Sequence, residues 1–202
     1  SSGSRVHVFS WERGRTLETV REVSRLKRTP GLSSYHDPTH AAESLHKLLL
    51  HAHSIVPRLC EAQTPVYLFA TAGLRLTAPN RRQAILKSVR ELLQSTPYAF
   101  SDKNARVLDG GEEAEYDWLS VNVALKSLAG DTEILTEGYS NRGSDTSQDL
   151  PTVGVIDLGG ASSQIAFEMG ASFEPESGVR SVVLKDALSS TPLLTSTSES
   201  GS

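Results

Sequence analysis

A single cysteine, Cys60, stands in 202 residues. No disulfide can form within the chain, and no Cys/His grouping has the spacing of a structural zinc site. A lone thiol suits a reducing compartment, although disulfide-free lumenal domains share the trait. No apolar run approaches the ~20 residues that a bilayer span needs, and no Asn-x-Ser/Thr glycosylation acceptor is present. Lys and Arg are scattered and the net charge is −4, which argues against nucleic acid as a partner, because sequence-independent binding depends on arrays of basic side chains. There is no G-x-x-x-x-G-K-[ST] loop and no H-E-x-x-H, so Walker-type phosphate loops and zincins are excluded. No internal repeat is apparent.

The 38% of residues that are hydrophobic suffice for a sizeable core, in one large domain or in parts of two. The chain opens abruptly on Ser1-Ser2-Gly3-Ser4-Arg5 before an alternating strand at 5–11. That start reads as the second half of a turn whose first strand is missing, hence as a fragment. A turn around Gly14 leads to 17–26, either a returning strand or a short helix. Asp37-Pro38 is a helix start, an N-cap followed by proline at the first helical position. Ala41, Leu45, Leu48, Ala52, Ile55 and Leu59 then predict one amphipathic helix to about 59. Val66 to Ala70 is almost wholly apolar, as expected of a strand covered on both faces, and Thr71-Ala72-Gly73 follows at its carboxyl end, where open α/β sheets bind ligands. A helix over 79–94, a strand over 105–108, a helix beginning with Glu112 and Glu113, and a polar loop over 138–151 come next. Residues 179–185 read as a strand, and the Ser/Thr-rich stretch after 188 as disordered. Strands followed by alternating helix and strand indicate an α/β domain.

Residues 155–167 hold the densest signal: a β-branched run, Asp157, a Gly159-Gly160 turn, Ser162 and Ser163, then a second apolar run. It reads as an ordinary hairpin or as a phosphate loop. In the second reading backbone N–H groups cradle an anion and Asp157 meets it through a hydrated divalent cation. The histidines offer less. His46, His51 and His53 lie five and two residues apart, which does not place two ligands on one helical face, and Pro38 separates His36 from His40; these read as solvated side chains. The acids at 112–117 suit a solvated, dipole-matched helix start. Yet Glu113 follows a Gly-Gly turn, and Thr71, Glu113 and Asp157, each at a small-residue turn near a strand end, could converge on one cleft.

Four stretches together resemble the GDA1/CD39 family of apyrases, nucleoside tri- and diphosphate hydrolases of the actin-like ATPase superfamily. They are Pro30-Gly31-Leu32-Ser33-Ser34-Tyr35, Ala70-Thr71-Ala72-Gly73-Leu74-Arg75, the run from Gly111 through Glu113 and Trp118 to Asn122, and Asp157-Leu158-Gly159-Gly160-Ala161-Ser162-Ser163-Gln164. The match runs over about 1–185. Ser1 to Arg5 resembles the end of the family's first region, whose preceding Asp-Ala-Gly is not in the chain; nor is the fifth region, which contributes to nucleobase binding. Ala114 and Val123 depart from a common glycine and a common aromatic.

The resemblance implies an actin-like (ribonuclease H-like) α/β fold. Residues 1–150 would form the first lobe without its first strand, 151–185 the opening hairpin of the second, and 186–202 a disordered tail. It implies metal-dependent hydrolysis of nucleoside tri- or diphosphates, with calcium or magnesium. Glu113 would be the general base, and Ser162 and Gln164 would position the attacking water. Ser1, Ser2, Gly159, Gly160, Ala161 and Ser162 would bind phosphates, and Asp157 and Thr71 would hold the metal through water. A membrane anchor upstream of Ser1, and a Golgi, endoplasmic reticulum or extracellular setting, come only with the resemblance. The alternatives are a nucleotide-binding remnant without catalysis and a related exopolyphosphatase or sugar kinase.

Overall fold

The computed structural model describes residues 3–12, 19–125, 152–168, 180–183 and 192–199. Ser1 and Ser2 and the polar loop at 138–151 therefore lie outside the described residues. The chain divides into two compact units, Ser1–Asp109 and Gly110–Ser202.

In the first unit, alternation produces a hairpin of β1 (Ser4–Ser10) and β2 (Arg21–Arg28), antiparallel, with a bulge between Val8 and Phe9. Val6, Val8 and Leu26 turn inward, and Ser24 meets His51 at 2.8 Å. From Arg21 onward the stretch is thus the returning strand, while the turn around Gly14 and residues 17 and 18 lie outside the described residues. Gly3 is required here, because a Cβ would sit 2.4 Å from the Arg28 carbonyl oxygen.

The single helix expected over 37–59 is instead three: α1 (Pro38–Glu43), α2 (His46–Ile55) and α3 (Arg58–Glu61). Asp37 caps α1 by accepting from the Thr39 N–H at 2.7 Å, a bond that holds its carboxyl below the usual carboxylate range. Ser44 ends α1 by turning its hydroxyl back onto the Ala41 carbonyl at 2.6 Å, competing with helical propagation. Pro57 lacks an N–H and forces Val56 into an extended conformation. The apolar stripe stays in phase through Ala41, Leu45, Leu48 and Ala52, but Leu59, beyond the proline, is 93% exposed.

The core is completed by β3 (Leu68–Ala70), α4 (Ala72–Arg75), α5 (Pro79–Gln94) and β4 (Ala105–Val107). β3 and β4 pair in parallel, Leu68 opposite Ala105, and the Leu108 N–H extends the ladder to the Ala70 carbonyl. Ile85, Leu86, Val89 and Leu93 of α5 are buried. β3 differs from its expected cover on both faces: Tyr67 and Phe69 are exposed, with the Arg106 guanidinium 5.4 Å from the Phe69 ring centre. On that face Tyr67 and Phe69 form a tilted ring pair, and a cation over the Phe69 ring is attracted to its face.

Arginines close this unit by capping carbonyls. Arg81 donates to Ser33 and Tyr35, Arg82 to Arg75, Arg90 to Ala105, and Arg75 to Leu108. The planar fork serves two acceptors at once.

The second unit consists of α6 (Gly110–Ala124) and a sheet in the order β5 (Val155–Leu158), β6 (Ser162–Glu168), β8 (Pro192–Glu199), β7 (Arg180–Val183). In α6, Gly110, Ala114, Trp118 and Asn122 form a stripe at every fourth residue, and the helix packs on Ala166 and Val155. The tail expected to be disordered forms β8 against the free edge of β6. Composition alone misjudged it: threonine is β-branched, and an open sheet edge offers unpaired backbone groups to whatever can extend along it. No helix among the described residues is long and apolar enough to cross a membrane.

Arg81→Ala should lower the unfolding free energy by about 1–3 kcal/mol, by leaving the Ser33 and Tyr35 carbonyls without their charged donor. Urea unfolding should show a lower midpoint at an unchanged slope.

Candidate active site

The hairpin of β5 and β6 sorts its side chains by parity. Asp157, Ser162, Gln164 and Ala166 face α6, while Ile156, Leu158, Ile165 and Phe167 are exposed on the other side. Register puts Asp157 opposite Gln164 and Leu158 opposite Ser163. The turn closes with the Gly159 N–H donating to the Ser162 carbonyl at 2.9 Å. The two glycines serve different ends. At Gly159 a Cβ would lie 2.8 Å from the Ser162 carbonyl oxygen, whereas at Gly160 it would meet nothing within 4 Å. Gly159 is there for the hairpin itself, and its N–H is spent within the turn. Gly160 is open on the outside.

Asn122 locks helix to sheet. Its Nδ2 donates to the Trp118 carbonyl at 2.9 Å and to the Val153 carbonyl at 3.1 Å, while its Oδ1 accepts from the Val153 N–H at 2.9 Å. A fully buried carboxamide thus pairs with a peptide unit as a strand neighbour would.

From that lock α6 runs antiparallel to β5. Nine residues back along a helix rising 1.5 Å per residue carry the chain about 13.5 Å to Glu113, and four residues along a strand carry it about 13 Å to Asp157. The levels agree, and the Gln164 Nε2 lies 3.5 Å from Glu113 Oε2. That same Nε2 donates to Ser162 Oγ at 2.9 Å. Gln164 is only 1% exposed, yet its Oε1 has no hydrogen-bond partner.

Glu113, Asp157, Ser162 and Gln164 therefore come together in one unit. Gly160 and Ala161 form the tip of the adjoining turn. Thr71 precedes α4 in the first unit, where its carbonyl accepts from the Leu74 and Arg75 N–H groups. Ser1 and Ser2 fall outside the described residues.

Asp117 is the residue that the sequence reading passed over as part of a solvated helix start. One turn beyond Glu113, it shares that residue's helix flank. Burial, then the charges of Asp157 and Glu113, push its carboxyl up to about 6. The signal available was its i+4 spacing from Glu113.

Among the described residues no group of three or more His, Cys, Asp or Glu side chains is arranged to hold a metal ion directly. His51 and His53 are instead engaged with Ser24 and Glu61. The buried Gln164 Oε1, without a partner, would accept from a water.

The sequence profile of the GDA1/CD39 (nucleoside phosphatase) family matches residues 1–190. The chain is 39% identical over 171 residues to apyrase 1 of Arabidopsis thaliana, covering 83% of this chain and 33% of that protein. It is 38% identical over 171 residues to the nucleoside-triphosphatase of Pisum sativum, covering 83% of this chain and 34% of that one. The chain thus spans about a third of the length of these relatives. A crystal structure of nucleoside triphosphate hydrolases from Neospora caninum superposes with a TM-score of 0.68 at 22% identity, covering 98% of this chain and 42% of that one. At that identity the likeness shows the fold.

Asn122→Leu should destabilise the protein by at least about 2 kcal/mol, since buried Val153 and Trp118 backbone groups lose their partners; denaturant unfolding measures it. Asp117 binds its proton more tightly folded than unfolded, so its contribution to stability is complete below the unfolded value of 3.8 and is lost as pH rises through about 6. Asp117→Asn should remove that loss. Its stability relative to wild type should grow across this window, as read by urea unfolding at several pH values.

Proposed function

Because the chain belongs to the GDA1/CD39 nucleoside phosphatase family, we propose that the protein hydrolyses the terminal phosphoanhydride of nucleoside tri- or diphosphates by direct attack of water. The observation that carries this reading is the Gln164 carboxamide, which spans Ser162 and Glu113 through Nε2 and leaves a buried Oε1 without a partner. A water beside it has a complete set of neighbours. It donates one proton to the Glu113 carboxylate and the other to Gln164 Oε1, and it accepts from the Ser162 hydroxyl. One lone pair is left for phosphorus.

In this reading Glu113 takes the proton as the P–O bond forms, and general-base help of this kind is worth about 10²–10⁴-fold. Ser162 and Gln164 fix the direction of attack. Gly160 and Ala161 bind phosphate oxygens from the hairpin turn, and Gly159 gives clearance. Asp157 holds the waters of a divalent cation, calcium or magnesium. When bound, that ion neutralises phosphate charge, which is the main demand of a loose phosphoryl-transfer transition state. The fold likeness supports an actin-like α/β architecture.

Phosphate release from nucleoside tri- and diphosphates, with polyphosphate alongside, tests the reading. Glu113→Gln should reduce kcat at least about 100-fold with KM changed only a few-fold and no loss of thermal stability. Undiminished turnover in that variant would remove Glu113 from its role. Nucleotide binding by calorimetry without any turnover by the wild type would make the protein a binder and not a hydrolase.

A further inference from the structure

We propose that the outer face of the β1–β2 hairpin docks on an anionic lipid surface, with Phe9 and Trp11 entering the bilayer interface and Arg5, Arg25 and Lys27 meeting lipid phosphates. This goes beyond the phosphohydrolase reading and uses none of its residues.

Strand pairing assembles a strip that chain order scatters. Alternation turns Val6, Val8 and Leu26 toward the core, so the residues between them face out. The register sets Arg5 opposite Lys27, His7 opposite Arg25 and, past the bulge, Phe9 opposite Glu22. The Glu12 N–H donates to Thr19 Oγ1 at 2.8 Å, which carries the pairing beyond the two strands and brings Trp11 opposite Val20. One face thus holds cations at one end and apolar side chains at the other, about 20 Å apart from Arg5 to Trp11 at a strand's rise per residue.

Two features of this strip are costly in the isolated protein. Phe9, Trp11, Val20 and Val23 are 51%, 49%, 37% and 44% exposed, and the His7 ring stacks on Phe9 with centroids 6.2 Å apart. Arg5 and Lys27 are like charges directly across the ladder, a destabilising pair. Glu22 is engaged by His7 at 2.8 Å, and among the described residues no acid is ion-paired with Arg5, Arg25 or Lys27. A chain of net charge −4 has acids to spare for these cations, yet pairs none with them.

An anionic membrane relieves both costs together. Each Lys or Arg at such a surface strengthens partitioning about 5-fold, and aromatic rings concentrate where headgroups meet acyl chains. The segregation along the strip suits that interface: a hairpin tilted tip-first places its rings below the phosphates while its cations stay among them. An acidic peptide would satisfy the cations and leave the apolar end uncovered.

Co-sedimentation with vesicles of phosphatidylcholine, alone and with about one-third phosphatidylserine, tests the proposal. The wild type should bind the anionic vesicles, be released from them as salt is raised, and bind phosphatidylcholine alone at least about 25-fold less tightly. Tryptophan emission should shift to the blue on binding, and that signal reports Trp11, because the chain's other tryptophan, Trp118, is buried. Arg25→Gln with Lys27→Gln should weaken binding about 25-fold, about 5-fold for each cation. Trp11→Ser should weaken it several-fold and abolish the shift. These side chains are exposed, so both variants should melt with the wild type. No binding to anionic vesicles, equal binding to both kinds of vesicle, or undiminished binding by either variant would overturn the proposal. Binding of polyglutamate in place of vesicles would also overturn it, by making the strip a face for acidic protein. None of these outcomes touches the functional reading.

Discussion

The grip of the Asn122 carboxamide on the Val153 peptide is the constraint on which the second unit depends. A side-chain amide has the same donor and acceptor as a backbone unit, so it can stand in for a neighbouring strand at one place only. That place sets where β5 begins relative to α6. A slip of one residue would turn Asp157 outward and bring Ile156 or Leu158 to face the helix, because strand side chains alternate. Glu113, on the same helix, stays level with Asp157 and Gln164 only while the grip holds.

Around it the unit has accepted polar groups on its inner face. Ser162 and Gln164 are buried, and three acids lie on or beside the surface between helix and hairpin. Burying carboxylates together costs free energy, and an unmatched buried carbonyl oxygen adds to that cost. An arrangement chosen for stability alone would have continued the apolar pattern of Ala114, Trp118 and Ala166. The first unit shows what that economy looks like. Its arginines are directed to carbonyl oxygens at helix ends and turns, and its helices bury aliphatic stripes.

Much of this was legible in the chain. The helix over 79–94 is bounded by its proline and carried by a stripe in a single period, so pattern and packing agree. The strand–turn–strand at 155–167 was visible because Gly-Gly interrupts two apolar runs, and Glu113, Asp157, Ser162 and Gln164 could be named from the family's motifs. The rest failed for local reasons. The apolar spacing over 37–59 survives in a broken helix, since spacing reports a face and not the continuity of hydrogen bonds; Ser44 and Pro57 interrupt it. The packing of α6 on the hairpin followed a small-residue stripe that its acidic start concealed. The polar tail was judged by composition, which carries no account of a free strand edge.

Sequence by itself determined the helix over 79–94, the strand–turn–strand at 155–167, the family, and the identity of the residues with acid, amide and hydroxyl groups. These follow from periodicity and side-chain type, which are properties of neighbours along the chain. Tertiary structure alone decided that Gly159 serves its own hairpin while Gly160 is open. It decided that Asn122 fixes the phase of helix against strand, that Gln164 bridges Ser162 and Glu113 with one oxygen unmatched, and that Asp117 stands with Asp157 and Glu113. The Asn122–Val153 and Gln164–Glu113 contacts are distances between groups many residues apart, set by how α6 packs on the hairpin, and no pattern of adjacent residues encodes them.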